Sequence, residues 1–172
     1  MQRRRHIWQK LGDLALGLTP STAPDAVAWR VATPCDTDAL GGLMLNAYLD
    51  TLDDEGETLA QACDEIRRFF DGACGPAEAP ACVVGEHGGQ LVSASLCCLW
   101  DGGGRRVPAG SLVAYAVTAP EYQGQRLGAA AIAHSLRALA HAGRVRACAV
   151  ITAGNLPSEA TFRRFGFEAI RD

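Results

Sequence analysis

The sequence predicts an α/β (α+β) fold, a mixed and largely antiparallel central sheet flanked by helices. Apolar runs at 81–84 and 90–100 flank Glu86-His87-Gly88-Gly89, which is a hairpin pattern. A third run at 111–118 follows the turn Asp101-Gly102-Gly103-Gly104 and extends the antiparallel part. Strand-helix-strand order follows toward the end of the chain, and with the antiparallel hairpins it implies a mixed sheet.

The remaining elements follow in order. Ile7, Leu11, Leu14 and Leu18 recur at helical spacing and predict an N-terminal helix. Residues 19–28, with Pro20 and Pro24, read as a linker, so 1–28 stand apart from a domain at 29–172. A short strand at 29–33 ends at Pro34. Asp36-Thr37-Asp38 caps a helix running to Tyr48. Residues 50–57 are an acidic loop, and a helix at 58–70 turns Leu59, Cys63, Ile66 and Phe70 to one face. After the strand at 111–118 come a glycine-bearing turn, a helix at 129–142, the strand at 146–152, a helix at 157–164 and a strand at 167–170. The order is β-α-α-β-β-β-α-β-α-β.

The chain has 172 residues, a 48% hydrophobic share and a formal charge of −3, which suit one globular domain without a basic field for nucleic acid. The Arg3-Arg4-Arg5 run is too short to change that. No run reaches the roughly 18 apolar residues of a membrane span. The seven cysteines are odd in number, form no C-x-x-C pair and lie at no zinc spacing, so no metal site is expected. Cys82, Cys97, Cys98 and Cys148 lie in apolar runs and read as reduced core thiols, which points to a cytoplasmic setting.

The turn Gln123-Gly124-Gln125-Arg126-Leu127-Gly128 carries the clearest chemistry. It leads from a strand into a helix, whose first amides lack intrahelical partners. The helix dipole adds about half a positive charge there, and glycine lets backbone approach an anion closely. The pattern is neither a P-loop nor a dinucleotide G-x-G-x-x-G. By itself it fits an anion site or an ordinary turn.

The wider stretch Ala116-Val117-Thr118-Ala119-Pro120-Glu121-Tyr122, continuing through that turn to Ala129, resembles motif A of the GNAT superfamily of N-acetyltransferases. Asn155-Leu156-Pro157-Ser158 and Phe162-Arg163-Arg164-Phe165-Gly166-Phe167 are similar to its motif B, N-x-x-S/A-x-x-x-Y/F-x-x-x-G-F. The resemblance spans about residues 29–172 and implies a GNAT-like fold that transfers acetyl from acetyl-CoA to an amine by direct attack. It implies that backbone at Val117 and Thr118 binds the pantetheine arm. Gln123, Gly124, Gln125, Arg126, Leu127, Gly128 and Ala129 would surround the pyrophosphate. Asn155 and Ser158 would lie near the arm, and Phe162 near the thioester sulfur.

There are three departures from the family pattern. Arg126 stands where glycine is preferred. Phe162 stands where many members have a tyrosine that protonates the leaving thiolate; holding a thiol of pKa near 8.5 as thiolate at pH 7 costs about 2 kcal/mol. The family continues into a final hairpin strand beyond Phe167, which leaves a sheet edge for the N-terminal helix or a partner, such as a second copy, to cover.

The acceptor side is less defined. Deprotonating a lysine-like amine at pH 7 costs about 4.6 kcal/mol, so a base is the larger need. Asp53, Asp54, Glu55 and Glu57 could serve, or could be a solvated loop; Asp54 and Glu55 are the chosen candidates, with Tyr115 as a substitute acid. Glu121 reads as a turn residue, and His134 and His141 as outer-face residues of their helix. The competing reading is a CoA-binding module without catalysis.

Overall fold

The computed structural model describes residues 4–18, 26–102 and 107–170. The expected linker falls largely, and the 101–104 turn partly, outside them. Seven strands form one sheet: β1 (Arg5–Leu11), β2 (Ala28–Val31), β3 (Val83–His87), β4 (Gln90–Trp100), β5 (Gly110–Thr118), β6 (Arg146–Thr152) and β7 (Glu168–Ala169). Their spatial order is β2-β3-β4-β5-β6-β1-β7, antiparallel except where β5 meets β6. The helices are α1 (Thr37–Tyr48), α2 (Leu59–Phe70), α3 (Leu127–His141) and α4 (Leu156–Arg164).

The N-terminal helix expected from the sequence is instead β1. All seven of its residues pair with β6, from Arg5 opposite Thr152 to Leu11 opposite Arg146, and Trp8 and Gln9 also pair with β7. Inward positions alternate: Trp8 is 4% exposed and Lys10 6%, the latter donating from Nζ to the Leu16 carbonyl at 2.6 Å. Gly12, at φ 85°, ends the strand, and Leu14 is buried from a following turn, so the helical spacing of leucines is coincidental. Ladder hydrogen bonds along β6 outweigh a weak local helix preference. The edge left open in the sequence reading is filled by the chain's own N-terminal strand.

Each face of the sheet has its own core. On one, Leu40, Leu43 and Met44 of α1 and Ile66 and Phe69 of α2 pack on Val84, Ala94, Leu96 and Val117. On the other, Ile132, Leu136 and Leu139 of α3 and Phe162 of α4 pack on Trp8, Val113, Ala149 and Ile151. Cys63, Cys82, Cys97, Cys98 and Cys148 are buried free thiols. Burial pushes Cys82 up to about 11 and Cys98 up to about 12, so both stay protonated at neutral pH and serve as packing.

Helices α1 and α2 meet at Gly41, where an added Cβ would sit 2.6 Å from Cys63 Sγ and 2.8 Å from its Cα. Because one neighbour is backbone, Gly41→Ala must separate the helices, and a loss of about 1–3 kcal/mol is expected. Thermal unfolding checks this, at about 2–4 °C per kcal/mol for a chain of this size.

Candidate acyl-CoA site

The site begins where two strands part. β5 and β6 pair only at Ser111–Ala147, Leu112–Cys148 and Val113–Ala149, although β5 runs on to Thr118 and β6 to Thr152. At the same point the β4 pairing skips from Val113 to Tyr115, leaving Ala114 as an extra residue in β5. Such a bulge bends its strand and increases its twist. The far half of β5 therefore carries backbone groups that do not pair with β6, along the gap where the two strands part.

The chain leaves β5 through a 3₁₀ turn at Pro120–Tyr122 and enters α3. Leu127 anchors this junction in a small core with Val27 and Val92, against which Tyr122 packs. Gly124 has φ 79°, and Arg126, the cap residue, has φ 63° and ψ 17°. That left-handed conformation costs a side-chain-bearing residue about 1–2 kcal/mol, which is the physical basis of the family's glycine at this place. Arg126 is exposed, so its side chain does not fill the turn.

The first bond of α3 runs from the Ala130 amide to the Arg126 carbonyl at 3.0 Å, so the amides of Leu127, Gly128 and Ala129 have no intrahelical acceptor. A Cβ on Gly128 would lie 3.1 Å from Thr118 Oγ1; glycine there lets the helix start against the strand end. Open strand edge and helix amides without intrahelical acceptors are thus contiguous, a donor set suited to an amide-bearing chain ending in phosphates.

Motif B lies across the gap. Asn155 caps α4, its Oδ1 accepting from the Ser158 amide at 3.2 Å. Its Nδ2 donates to Asp53 Oδ2 at 2.9 Å, and Thr152 Oγ1 donates to Asp53 Oδ1 at 2.6 Å. Phe162 is 4% exposed, with its ring edge-on to Phe167 at 5.0 Å.

The chosen acceptor-side residues are dispersed. Asp54 accepts from the amides of Asp50 (2.9 Å) and Gly56 (2.8 Å), bracing its own loop. Glu55 pairs with Arg5 at 3.1 Å, an exposed contact of little energetic weight. Tyr115 donates its hydroxyl to Glu65 Oε1 at 2.8 Å, with its ring edge-on to Phe69. Burial, then the Glu65 bond and charge, hold the Tyr115 hydroxyl well above its ordinary range. Burial, followed by the charges of Asp53 and Glu65, does the same to Tyr48.

Glu65 escaped the sequence reading, although a signal existed: it lies three residues after Ala62 and four before Phe69, on the buried stripe of α2. An acid at such a position requires a partner. His134 also departs from expectation. It stacks on Trp29 at 5.1 Å instead of lining the outer face, and burial lowers its pKa, whereas His141 is exposed. Glu121 lies exposed in its turn.

Among the described residues, no helix is long and apolar enough to cross a membrane. Comparison with known proteins gives the family. No curated protein matches the chain. Among solved structures, a GCN5-related N-acetyltransferase from Sphaerobacter thermophilus shares the fold with TM-score 0.70 at 12% identity, over 98% of this chain and 49% of that one. A tandem GNAT protein from the clavulanic acid biosynthesis pathway gives 0.68 at 14%, over 97% and 50%. A transcriptional regulator from Bacillus halodurans gives 0.64 at 14%, over 85% and 95%. The chain thus spans about half the length of the first two, and at these identities the likeness is one of fold. The family model described as the acetyltransferase (GNAT) family matches residues 44–167, most of the chain and both halves of the site, and the chain belongs to that family.

Proposed function

We propose that the protein is an N-acetyltransferase that moves the acetyl group of acetyl-CoA to a primary amine by direct attack. The observation that carries this is the continuity of the parted β5 edge with the α3 amides, which offers backbone partners for an amide-bearing pantetheine arm followed by a pyrophosphate. In this reading, backbone at Val117 and Thr118 takes the arm, and the segment from Gln123 to Ala129 takes the phosphates. Asn155 and Ser158 flank the arm, and Phe162 forms an apolar wall near the sulfur.

The ammonium form of the acceptor gives up a proton, through water, to a carboxylate on the acceptor side, with Asp54 and Glu55 the candidates. The freed lone pair attacks the thioester carbonyl and forms the C–N bond; the C–S bond then breaks, the thiolate departs, and the nitrogen loses its second proton to water. Tyr115 keeps its proton against Glu65, so in this reading the thiolate leaves with little acid assistance; general acid help is typically worth about 10²–10⁴-fold. Buried reduced thiols suit a cytoplasmic setting.

Acetyl-CoA at 100 times its Kd is expected to raise unfolding stability by about 2.7 kcal/mol. Across a panel of amines, steady thiol release from acetyl-CoA is expected with at least one acceptor. Stabilisation without release on any amine would make the protein an acyl-CoA-binding module. Absence of stabilisation would overturn the cofactor reading itself.

A further inference from the structure

Asp53 joins two parts of the molecule that the sequence separates widely. It sits in the loop between α1 and α2, yet both its oxygens are taken by groups on the far side of the gap: Thr152 Oγ1, on the last residue of β6, at 2.6 Å, and Asn155 Nδ2, on the cap of α4, at 2.9 Å. Since Asn155 Oδ1 receives the Ser158 amide, Asp53 also fixes which way the Asn155 amide faces. Leu52 supports the same junction: a Cβ on Gly154 would lie 3.8 Å from its Cδ1. Of the loop's other bonds, Thr51 Oγ1 to the Tyr48 carbonyl and Asp54 to the Asp50 and Gly56 amides are internal and set its shape, and the exposed Glu55–Arg5 pair ties it only weakly to β1.

We infer that Asp53 is a positioning residue that clasps the acceptor-side loop to the β6–α4 junction and so sets the acceptor pocket against the acyl-CoA gap. The inference rests on the acyl-transfer reading above. Two charge-assisted hydrogen bonds across a gap, part-buried, are among the stronger contacts available to a loop. Both oxygens being engaged, Asp53 acts by holding other groups in place.

The test compares wild type with Asp53→Ala, Asp53→Asn and Thr152→Val, alone and with Thr152→Val combined with Asp53→Ala. Amide exchange of residues 51–57 is read without ligand; amine KM, kcat and acetyl-CoA Kd are read separately. Asp53→Ala is expected to speed loop exchange about ten-fold or more. It should raise amine KM about ten-fold, more than it changes acetyl-CoA Kd. Asp53→Asn, which keeps one acceptor oxygen, should lie between, and Thr152→Val should add little once Asp53 is gone. If Asp53→Ala does not fold, Asp53→Asn and Thr152→Val carry the same comparison. Unchanged exchange would overturn the clasp, and faster exchange with unchanged KM and kcat would reduce it to a scaffold contact. A wild-type protein that turns over no amine would mark the failure of the acyl-transfer reading, and the positioning role would fall with it while the exchange result still reported on the clasp.

Discussion

Deleting residues 4–12 is expected to abolish cooperative unfolding. β1 lies inside the sheet, bonded to β6 along its whole length and to β7 on its other side. Its loss would strip one edge of β6 and leave β7 with no neighbour, the kind of open edge that aggregates. Trp8 allows a graded version. The ring packs among Val113, Ala149 and Phe167, with the Arg163 guanidinium 5.3 Å from its centre. Trp8→Ala should cost about 3–5 kcal/mol, a large part of a typical stability of about 5–15 kcal/mol. Trp8→Phe should cost less, because it also removes the buried indole Nε1, which has no partner among the described residues. Circular-dichroism melts of the three variants decide the matter. A truncated chain melting cooperatively at the wild-type temperature would refute a central role for β1.

The second large effect is expected at Arg126. Its exposed cap position sets its charge beside the first amides of α3. Arg126→Glu keeps the left-handed strain, which both side chains bear equally. Acetyl-CoA affinity should fall about 100-fold, through loss of a cationic donor and the new repulsion of phosphate by a carboxylate. Arg126→Gly relieves the strain and restores the family's preferred residue, but removes the charge. It should bind acetyl-CoA more weakly than wild type and more tightly than Arg126→Glu, with less dependence on salt. Titration calorimetry at two ionic strengths separates the cases. Equal affinity in all three proteins would place the phosphates away from Arg126.

The fold was legible where local pattern and tertiary role agree. The hairpin turn at Gly88-Gly89, the helix at 58–70 and the glycine-bearing entry to α3 each announce themselves over a short stretch. β1 was not legible, because its inward positions hold a tryptophan and a lysine, and a buried lysine erases the apolar alternation that marks a strand. Its pairing partners begin at Arg146, beyond the reach of any local pattern. Near the site, the turn into α3 could be placed because backbone conformation and glycine placement leave traces in sequence. The acceptor side could not. Asp53 looks like any member of an acidic loop until folding sets it against Thr152 and Asn155, and Glu65 needs the stripe of α2 drawn before it stands out.

The placement of β1 also bears on how the chain acquires its structure during synthesis. Its partners in β6 and β7 are made long after it, a delay on the order of ten seconds at ordinary translation rates. Through that interval Trp8 has no core to enter, and the strand must either wait unpaired or be held by other factors. Closing so long a loop late places β1 docking among the slow steps of folding. The nascent chain would thus stay exposed to aggregation until β6 and β7 have been made and can receive β1.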